Sequence, residues 1–283
     1  MQIAIITKLI NNTKFKIDKG DHLLDTHTHI LWNIDDGSKN QCMSLQMLEI
    51  AARSGTKAIF ATPHVIERAN KPSWEEIKEK TQQLRQLCAE AQIDIMLYPG
   101  AEVQMNWELL PELGATGAYC LNGGRYLLIE LPAAEIPAYA DEFWYELELK
   151  GIMPILAHPE RYQQLRENPD LLLLWRRRGM LMQCNSGSFT GMFGSSVCEN
   201  AKVLLANGLV DLLGSDGHRS EGRNTDMSRA AAVIRQLAGE EVLRQLTETN
   251  PQAILKNQEI ELKQPKVLLE DKPKSFWQKL FGK

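Results

Sequence analysis

The feature that most constrains the fold is a regular alternation along the chain between short apolar runs and longer segments with helical spacing. The runs are rich in Ile, Val, Leu and Met, which is typical of buried strands. Strands that alternate with helices pair as a parallel sheet, because each helix returns the chain to the start of the next strand. Seven such runs occur, at 22–30, 57–64, 93–102, 125–131, 152–160, 180–187 and 210–218.

Most of the segments between the runs are predicted helices with recognisable boundaries. Glycines follow several of the predicted ends, and prolines lie near two of the starts. The stretch 103–124 is the exception, because its glycines predict mostly loop. Seven units without a long linker favour one α/β barrel over two domains. The predicted helices cover 41–54, 73–91, 137–150, 169–178, 195–207 and 226–247, with boundary signals at Gly55, Pro72, Pro137, Gly151, Gly179 and Gly208.

The two ends of the chain differ from the middle and define three regions. Residues 1–20 form an N-terminal extension with a candidate extra strand, residues 21–258 form the barrel, and residues 259–283 form a Lys-rich C-terminal tail. Four apolar residues of the tail fall at helical spacing among lysines: Phe276, Trp277, Leu280 and Phe281. This pattern predicts a small helix docked on the barrel, with weak peripheral contact to a membrane or a partner as the alternative.

Charge and cysteine content exclude several classes of protein. With 32 basic and 36 acidic side chains, the net charge is -4, so no nucleic-acid-binding surface is expected. The five cysteines are widely spaced and include no C-x-x-C pair, which predicts a reduced, cytoplasmic chain. No secretory signal is recognisable, and no run approaches the roughly 20 apolar residues of a spanning helix.

Polar or ionisable residues stand at the end of every predicted strand. In a barrel the carboxyl ends of the strands meet at one mouth, so these residues should converge. His27 and His29 are two apart on a strand and point the same way, as do Asp216 and His218. Taken singly, each would more often be a packed, hydrogen-bonded side chain, but the set predicts a metal site. The nine candidate ligands are His27, His29, Asp36, His64, Glu102, Glu130, His158, Asp216 and His218.

The types of these side chains restrict the metal. Imidazoles mixed with carboxylates, without a thiolate, suit Zn, Mn or Fe rather than Ca or a structural zinc. Nine candidates exceed what one ion can use. With three or four ligands each and a bridging carboxylate, they suit two or three divalent ions.

The ordered motifs of the chain resemble a known superfamily. They are similar to those of the polymerase-and-histidinol-phosphatase (PHP) superfamily. The motifs are HTHILWNIDDGS, ATPH, Gly-Ala-Glu after a strand, YLLIELP, PILAHPERY, QCNSGS with GMFG, and SDGH. Within it, the chain resembles the bacterial protein-tyrosine phosphatases associated with capsule and exopolysaccharide synthesis, the CpsB/CapC/YwqE type. The similarity runs from about residue 22 to residue 255.

This resemblance implies a distorted (β/α)7 TIM-like barrel holding a trinuclear site, with manganese favoured. One metal would be held by His27, His29, Glu102 and Asp216, and Glu102 would bridge to a second held by Glu130 and His158. Asp36, His64 and His218 would hold the third. The predicted catalytic residues are His218 with Arg161 and Arg223, which match the family's phosphate-binding arginines.

The cysteine spacing excludes one mechanism of phosphotyrosine hydrolysis. A cysteine-type phosphatase needs C-x5-R, and the nearest approach, Cys120 with Arg125, is one position short. This leaves a metal-activated hydroxide as the nucleophile. Three divalent ions together with Arg161 and Arg223 outweigh the four carboxylates of the site, so the mouth should attract a dianion.

The expected substrate is a phosphotyrosine protein, in particular the C-terminal tail of a bacterial tyrosine kinase that controls capsule or exopolysaccharide synthesis. A homo-oligomer is also compatible with the sequence. One alternative is a small-molecule phosphoesterase of the same superfamily, such as a histidinol phosphatase. A metal-dependent amidohydrolase is disfavoured by the Asp216-x-His218 pair. A non-enzymatic regulatory scaffold would be expected to have lost a ligand, and none is lost.

Overall fold

Short parallel strands run through the centre of the structure, a computed structural model that describes residues 22–113, 117–263 and 265. The strands are β1 (Leu23–Thr28), β2 (Thr56–Ala61), β3 (His64–Val65), β4 (Met96–Pro99), β5 (Glu102–Gln104), β6 (Tyr126–Glu130), β7 (Met153–Ala157), β8 (Leu181–Asn185) and β9 (Leu212–Gly214). One sheet has the order β1-β2-β4 and the other the order β3-β5-β6-β7-β8-β9, and each strand pair is parallel.

The two sheets meet at two places, so that the strands curl into one mixed α/β domain. Beyond β9, Asp216 N donates to His27 O at 2.7 Å, and His29 N donates to Gly217 O at 2.9 Å. On the other side, β2 is followed directly by β3 and β4 by β5, with Glu102 N donating to Pro63 O at 3.0 Å. The carboxyl ends of β1 and β9 are therefore neighbours although they are far apart in sequence.

All seven predicted apolar runs contain a strand, but two of them are interrupted. The run 57–64 divides into β2 and β3, because Pro63 has no N–H to donate to a ladder. The run 93–102 divides into β4 and β5 around Gly100 and Ala101. The described residues thus contain nine strands rather than seven. The parallel α/β arrangement is confirmed, and the count of seven βα units stays a prediction.

The helices surround the strands and follow the predicted boundaries closely. Asn40 Oδ1 accepts from Met43 N at the first helix, and Ser73 Oγ accepts from Glu76 N at the second. Past four predicted ends, Gly55, Gly151, Gly179 and Gly208 adopt φ values of 70–92°, as helix-terminating glycines do. The helices are α1 (Gln41–Arg53), α2 (Trp74–Glu90), α3 (Ala140–Leu149), α4 (Gln163–Glu167), α5 (Pro169–Arg177), α6 (Ser186–Phe189), α7 (Ser195–Ala206), α8 (Ser228–Ala238), α9 (Glu240–Arg244) and α10 (Asn250–Leu255).

The predicted helix over 226–247 is wrong in its continuity. Gly239, at φ 91°, separates α8 from α9, and a π-helical turn at Gln245–Thr249 leads into α10. The loop predicted for 103–124 contains the end of β5 and two 3₁₀ turns, at Trp107–Leu109 and Leu121–Gly123. The short helices α4 and α6 were not predicted, because their apolar residues are too few to show a period.

The face of the strands that points inside the curled sheet changes character along its length. Tyr126 and Leu128 of β6 and Leu181 of β8 belong to one buried apolar cluster. Two positions further along each strand, on the same face, lie Glu130 and Gln183. The interior is therefore apolar at the amino ends of the strands and polar at the carboxyl ends, where the predicted site lies.

The predicted extension 1–20 and the aromatic positions of the tail, Phe276 to Phe281, lie outside the described residues, so the three-region division stays a prediction. Within the described ranges, no helix combines the length and apolar character needed to cross a bilayer.

Candidate metal centre

Two histidines from β1 form the centre of the site. His27 and His29 are fully buried, and their Nε2 atoms lie 3.1 Å apart. The opposite ring nitrogens are already engaged: His27 Nδ1 contacts Gln183 Oε1 at 3.0 Å, and His29 Nδ1 contacts Asp35 Oδ2 at 2.7 Å. Since these oxygens accept, each Nδ1 donates, and each Nε2 points into the site.

Two buried carboxylates close around this pair. Glu102, the first residue of β5, places Oε2 at 3.1 Å from His27 Nε2 and 3.2 Å from His29 Nε2. Its other oxygen, Oε1, lies 2.8 Å from His158 Nε2. Asp216 Oδ1 lies 3.5 and 3.3 Å from the same two histidine nitrogens. Glu102 is thus positioned to bridge two groups of ligands.

The remaining candidate ligands lie towards solvent. His64 Nδ1 is 3.1 Å from Glu102 Oε2 and 3.3 Å from Glu130 Oε1. His218 Nε2 is 3.2 Å from Asp36 Oδ1, and His64 Nε2 is 3.7 Å from the same oxygen. The structure therefore brings all nine predicted ligands into one cluster at the carboxyl end of the strands.

Three overlapping sets of side chains bring ligand atoms within 4.8 Å of one another. These sets resemble the three groups that the superfamily resemblance implies, with three differences. His64 accompanies Glu102 and Glu130 where His158 was expected, His29 joins the set of Asp36, His64 and His218, and Glu102 is absent from the set of His27, His29 and Asp216. His158 contacts Glu102 Oε1 at 2.8 Å. The sets are His27, His29 and Asp216; His29, Asp36, His64 and His218; and His64, Glu102 and Glu130.

Several buried ligand atoms in this cluster have no hydrogen-bond partner. They include Glu102 Oε2, Asp216 Oδ1, His64 Nδ1 and His218 Nε2. A buried polar atom without a hydrogen-bond partner is costly. A cation bound between such atoms removes that cost. The residues present therefore fit divalent metal ions.

Burial and the close contact of histidines with carboxylates shift the pKa values of the cluster. Burial alone lowers the pKa of His27 and of His29, but the carboxylates of Asp35, Glu102 and Asp216 outweigh it and raise both pKa values. Burial raises the pKa of Glu102, yet the neighbouring histidines hold it well below its usual value. Burial together with His29 lowers the pKa of His218 to about 4, so His218 is a neutral imidazole at pH 7.

Backbone conformation at two of these residues is unusual. His158 has φ 38° and Asp216 has φ 52°, in the left-handed region that non-glycine residues seldom occupy. Such conformations cost about 1–3 kcal/mol and persist where the surroundings over-determine them. His158 directly follows β7, Asp216 lies two residues after the end of β9, and both turn into the site.

Sequence reasoning missed the side chains that support the ligands. Asp35 accepts from His29 Nδ1 and also from the backbone N–H groups of Gly37 and His64. Gln183 orients His27 and is itself held by donation to Cys184 O at 2.7 Å. The doubled aspartate in NIDDGS was the available signal for Asp35, but nothing in the sequence showed which aspartate faces which histidine.

Both predicted arginines lie at the site. Arg161 Nη1 donates to Asp216 Oδ2 at 3.1 Å, and Arg223 Nη2 donates to the same oxygen. Asn185, another strand-end residue, donates to it at 2.6 Å. Asp216 therefore presents one oxygen to the histidines and the other to cationic donors.

The site opens into a cavity of about 720 Å³. Six of the nine candidate ligands and the two arginines form one end. The other end is walled by the segment 131–136 and by α4, which are joined where Ile136 N donates to Gln164 Oε1 at 2.7 Å. Tyr162 also lines the cavity, and its ring lies 5.6 Å from that of His158. The cavity has room for a group larger than phosphate alone.

No cysteine lies among the residues that line the cavity or form the candidate ligand sets. All five are unpaired. Burial raises the pKa of Cys88 to about 11 and that of Cys120 to about 12, which keeps both as thiols. The exclusion of a cysteine mechanism by spacing is consistent with these environments.

The fold and the site define a class: mixed α/β domains with a curled parallel sheet that gathers histidines and carboxylates at its carboxyl end. A histidinol phosphate phosphatase from Lactococcus lactis shares this fold, with a TM-score of 0.50 at 16% identity over 77% of this chain and 94% of that one. Within the class, residues 23–256 match the family described as capsular polysaccharide synthesis, CpsB/CapC. The chain belongs to the CpsB/CapC family.

Several tyrosine-protein phosphatases are similar to this chain over most of their length. The tyrosine-protein phosphatase YwqE of Bacillus subtilis is 34% identical over 84% of this chain and 93% of its own. The putative tyrosine-protein phosphatase CapC of Staphylococcus aureus is 31% identical over 71% and 79%. A crystal structure from a study of YwqE and the Streptococcus pneumoniae CpsB, described as metal-dependent tyrosine phosphatases, superposes with a TM-score of 0.81 at 33% identity, covering 88% of this chain and all of that one.

Proposed function

We propose that this chain is a metal-dependent protein-tyrosine phosphatase that acts in capsule or exopolysaccharide synthesis. The observation that carries the proposal is the arrangement around Asp216. One of its oxygens faces the buried histidines, and the other accepts from Arg161 and Arg223 at the mouth of the cavity. Unpartnered ligand atoms and cationic phosphate-binding groups thus lie on opposite sides of one carboxylate. The named relatives support the same activity.

The roles of the residues follow from this geometry. We assign the nine side chains of the cluster as metal ligands, with Glu102 as the bridge. Divalent ions bound there would supply Lewis-acid activation of water and neutralise phosphate charge. Arg161 and Arg223 would exchange Asp216 Oδ2 for the phosphate oxygens and hold the group in place, which is the main protein contribution to phosphoryl transfer. His218, neutral at pH 7, would hold a metal ion at the side of the cluster that lines the cavity.

The cavity supports an aromatic phosphate monoester as the substrate. The wall formed by 131–136, with Tyr162 and α4, leaves space beyond the phosphate position for a tyrosine ring. Tyrosine leaves with a pKa near ~10, so its departure needs less assistance than that of a serine alkoxide. We propose a phosphotyrosine protein as the partner, specifically the C-terminal tail of a bacterial tyrosine kinase.

We also propose a barrel architecture, a number of metal ions and a cellular location for this chain. The two sheets form one barrel of seven βα units in which two strands are interrupted, as the contacts between β1 and the segment after β9 suggest. The site holds two or three ions, with manganese favoured, because three ligand sets overlap. The location is cytoplasmic, a placement supported by five unpaired cysteines.

The test is hydrolysis of three substrates by the full chain, each with a chelator and with added Mn²⁺. A phosphotyrosine peptide should be hydrolysed with Mn²⁺ and not after chelation, and a phosphoserine peptide should react far more slowly. Preference for histidinol phosphate over the phosphotyrosine peptide would instead identify a small-molecule phosphoesterase. Metal binding without any hydrolysis would favour the scaffold, and activity that survives complete metal removal would contradict the mechanism.

A further inference from the structure

An aromatic side chain with no role in the proposed mechanism contacts both phosphate-binding arginines. Arg161 Cζ lies over the Phe193 ring at 4.7 Å from its centroid, and Arg223 Cζ lies over the same ring at 5.6 Å. Both distances are within the roughly 6 Å range of cation–π attraction. Phe193 comes from the loop between α6 and α7, so a separate part of the chain joins the two arginines.

This ring packs closely against Gly187 of α6, the short helix that directly follows β8. A Cβ placed on Gly187 would lie 3.1 Å from Phe193 Cε2 and 2.9 Å from Met192 Sδ. Met192 N also donates to Gly187 O at 3.0 Å. Gly187 follows Asn185, which donates to Asp216 Oδ2. The ring therefore packs against the same chain segment that donates to the oxygen contacted by both arginines.

The arginines need such support. Their side chains are about one-third exposed, at 32% for Arg161 and 29% for Arg223, and two like charges converge on a single carboxylate oxygen. When phosphate replaces that oxygen as the acceptor, both guanidinium groups have to remain close together. The electron-rich face of an aromatic ring attracts both cations without competing for their N–H donors.

We propose that Phe193 is a positioning residue that holds Arg161 and Arg223 at the phosphate site through its ring face. This inference rests on the proposed function, since it assigns the arginines to phosphate. Its consequence is that Phe193 sets the affinity for the phosphate group and has less influence on the rate of the chemical step or on metal binding.

The experiment compares Phe193→Leu, Phe193→Tyr and Phe193 replaced by mono-, di- and trifluorophenylalanine, in the metal-loaded full chain. Fluorine withdraws electron density from the ring and weakens cation–π attraction while changing its shape little. We expect Phe193→Leu to raise the Kd for inorganic phosphate and the KM for a phosphotyrosine peptide by about 5- to 30-fold. Phe193→Tyr should retain both values, and the Kd should rise stepwise with fluorination.

Met192→Leu is the matched control in the same loop and should leave the phosphate Kd unchanged. Metal content, measured by mass spectrometry, should be the same in all variants. An unchanged Kd in Phe193→Leu, a flat fluorination series, or a loss of metal that accounts for the weaker binding would each overturn the proposal. So would a failure of the unmodified protein to bind phosphate.

The phosphate Kd separates this inference from the proposed function. If the unmodified protein binds phosphate, and the Kd follows the ring substitutions although no phosphotyrosine is hydrolysed, the role of Phe193 stands and the assigned activity fails. If phosphotyrosine is hydrolysed but the ring substitutions alter neither Kd nor KM, the activity stands and the role of Phe193 fails.

Discussion

At the scale of single residues, the two carboxylate oxygens of Asp216 have different surroundings. Oδ1 lies among histidine nitrogens and has no hydrogen-bond partner, while Oδ2 accepts from Arg161, Arg223 and Asn185. Burial would raise its pKa, but the surrounding histidines and Arg223 hold the pKa of Asp216 well below the usual value. A carboxylate in this position is ionised throughout the physiological range and lies between the candidate metal ligands and the two arginines.

Replacing Arg161 with alanine should weaken phosphate recognition. A charge-assisted hydrogen bond contributes about 1.5–3 kcal/mol, so kcat/KM for a phosphotyrosine peptide should fall roughly 10- to 100-fold. Steady-state kinetics with saturating Mn²⁺ provide the measurement. Arg177→Ala, an exposed arginine at the end of α5, is the control and should change neither constant. Unchanged kcat and KM in Arg161→Ala would show that this arginine does not contact the substrate.

Asp35 should matter for metal binding although we do not assign it as a ligand. Removal of its carboxylate leaves His29 Nδ1 without its acceptor at 2.7 Å, so the ring loses its fixed orientation. Partners of this kind typically change metal affinity by about 10- to 100-fold. Asp35→Ala should therefore weaken Mn²⁺ binding in calorimetric titration, and Asp35→Asn should weaken it less. Asp94→Ala, which removes an exposed partner of Lys57, should have no effect. Equal affinity in Asp35→Ala and the parent would refute the role.

At the scale of elements, the site depends on how closely β9 approaches β1. A Cβ on Gly214 would lie 2.5 Å from His27 Cβ and 2.8 Å from Gln183 Nε2. Because Gly214 has no side chain, His27 and the Gln183 amide that contacts it can both lie next to the end of β9. The close approach of His27 to the end of β9 therefore requires a position without a side chain.

Gly214→Ala should disturb both the fold and the metal site. Overpacking of a buried position costs about 1–3 kcal/mol, and here the displaced group is a candidate ligand. Urea denaturation should show a lower free energy of unfolding, and metal content should fall. Gly222→Ala is the control: no atom lies within 4 Å of its added Cβ, and only its φ of 68° is unfavourable, at about 1–2 kcal/mol. That variant should keep its metal. Full metal content in Gly214→Ala would contradict the expected displacement of His27.

At the scale of the whole molecule, ligands from strands throughout the chain make metal binding a property of the folded state. Mn²⁺ at about 100 times its Kd should add about 2.7 kcal/mol to the free energy of unfolding. For a domain of this size, that corresponds to a rise in Tm of roughly 5–11 °C, measurable by differential scanning fluorimetry. No rise in Tm on adding Mn²⁺, Zn²⁺ or Fe²⁺ would contradict a metal site formed by the fold.

The same stabilisation should depend on pH with a definite sign. The carboxylates raise the pKa values of His27 and His29 in the metal-free protein, so protons compete with metal for these nitrogens. The metal-free fold is stabilised by these protons at low pH and loses that contribution as pH rises through the raised pKa values. The increase in Tm caused by metal should therefore be larger at pH 8 than at pH 6. The opposite trend would contradict this account.

Much of the fold could be predicted from the sequence, because the signals are local. Apolar runs and helix-ending glycines are read from neighbouring residues, and each predicted run does contain a strand. The interruptions of two runs and the break at Gly239 were not predicted, since each depends on which backbone groups find partners in the folded chain. The candidate ligands were predictable as a set, because the carboxyl ends of parallel strands must meet.

The sequence by itself determined the α/β alternation, the family and the side chains at the strand ends. Only the tertiary structure decided their arrangement: which oxygen of Asp216 faces the histidines, that Asp35 and Gln183 orient the imidazoles, and that Phe193 lies beneath both arginines. Strand and helix patterns follow from the period of the backbone and are therefore local. Distances between atoms more than 150 positions apart, such as His27 and Gln183, exist only once the strands have closed around a common core.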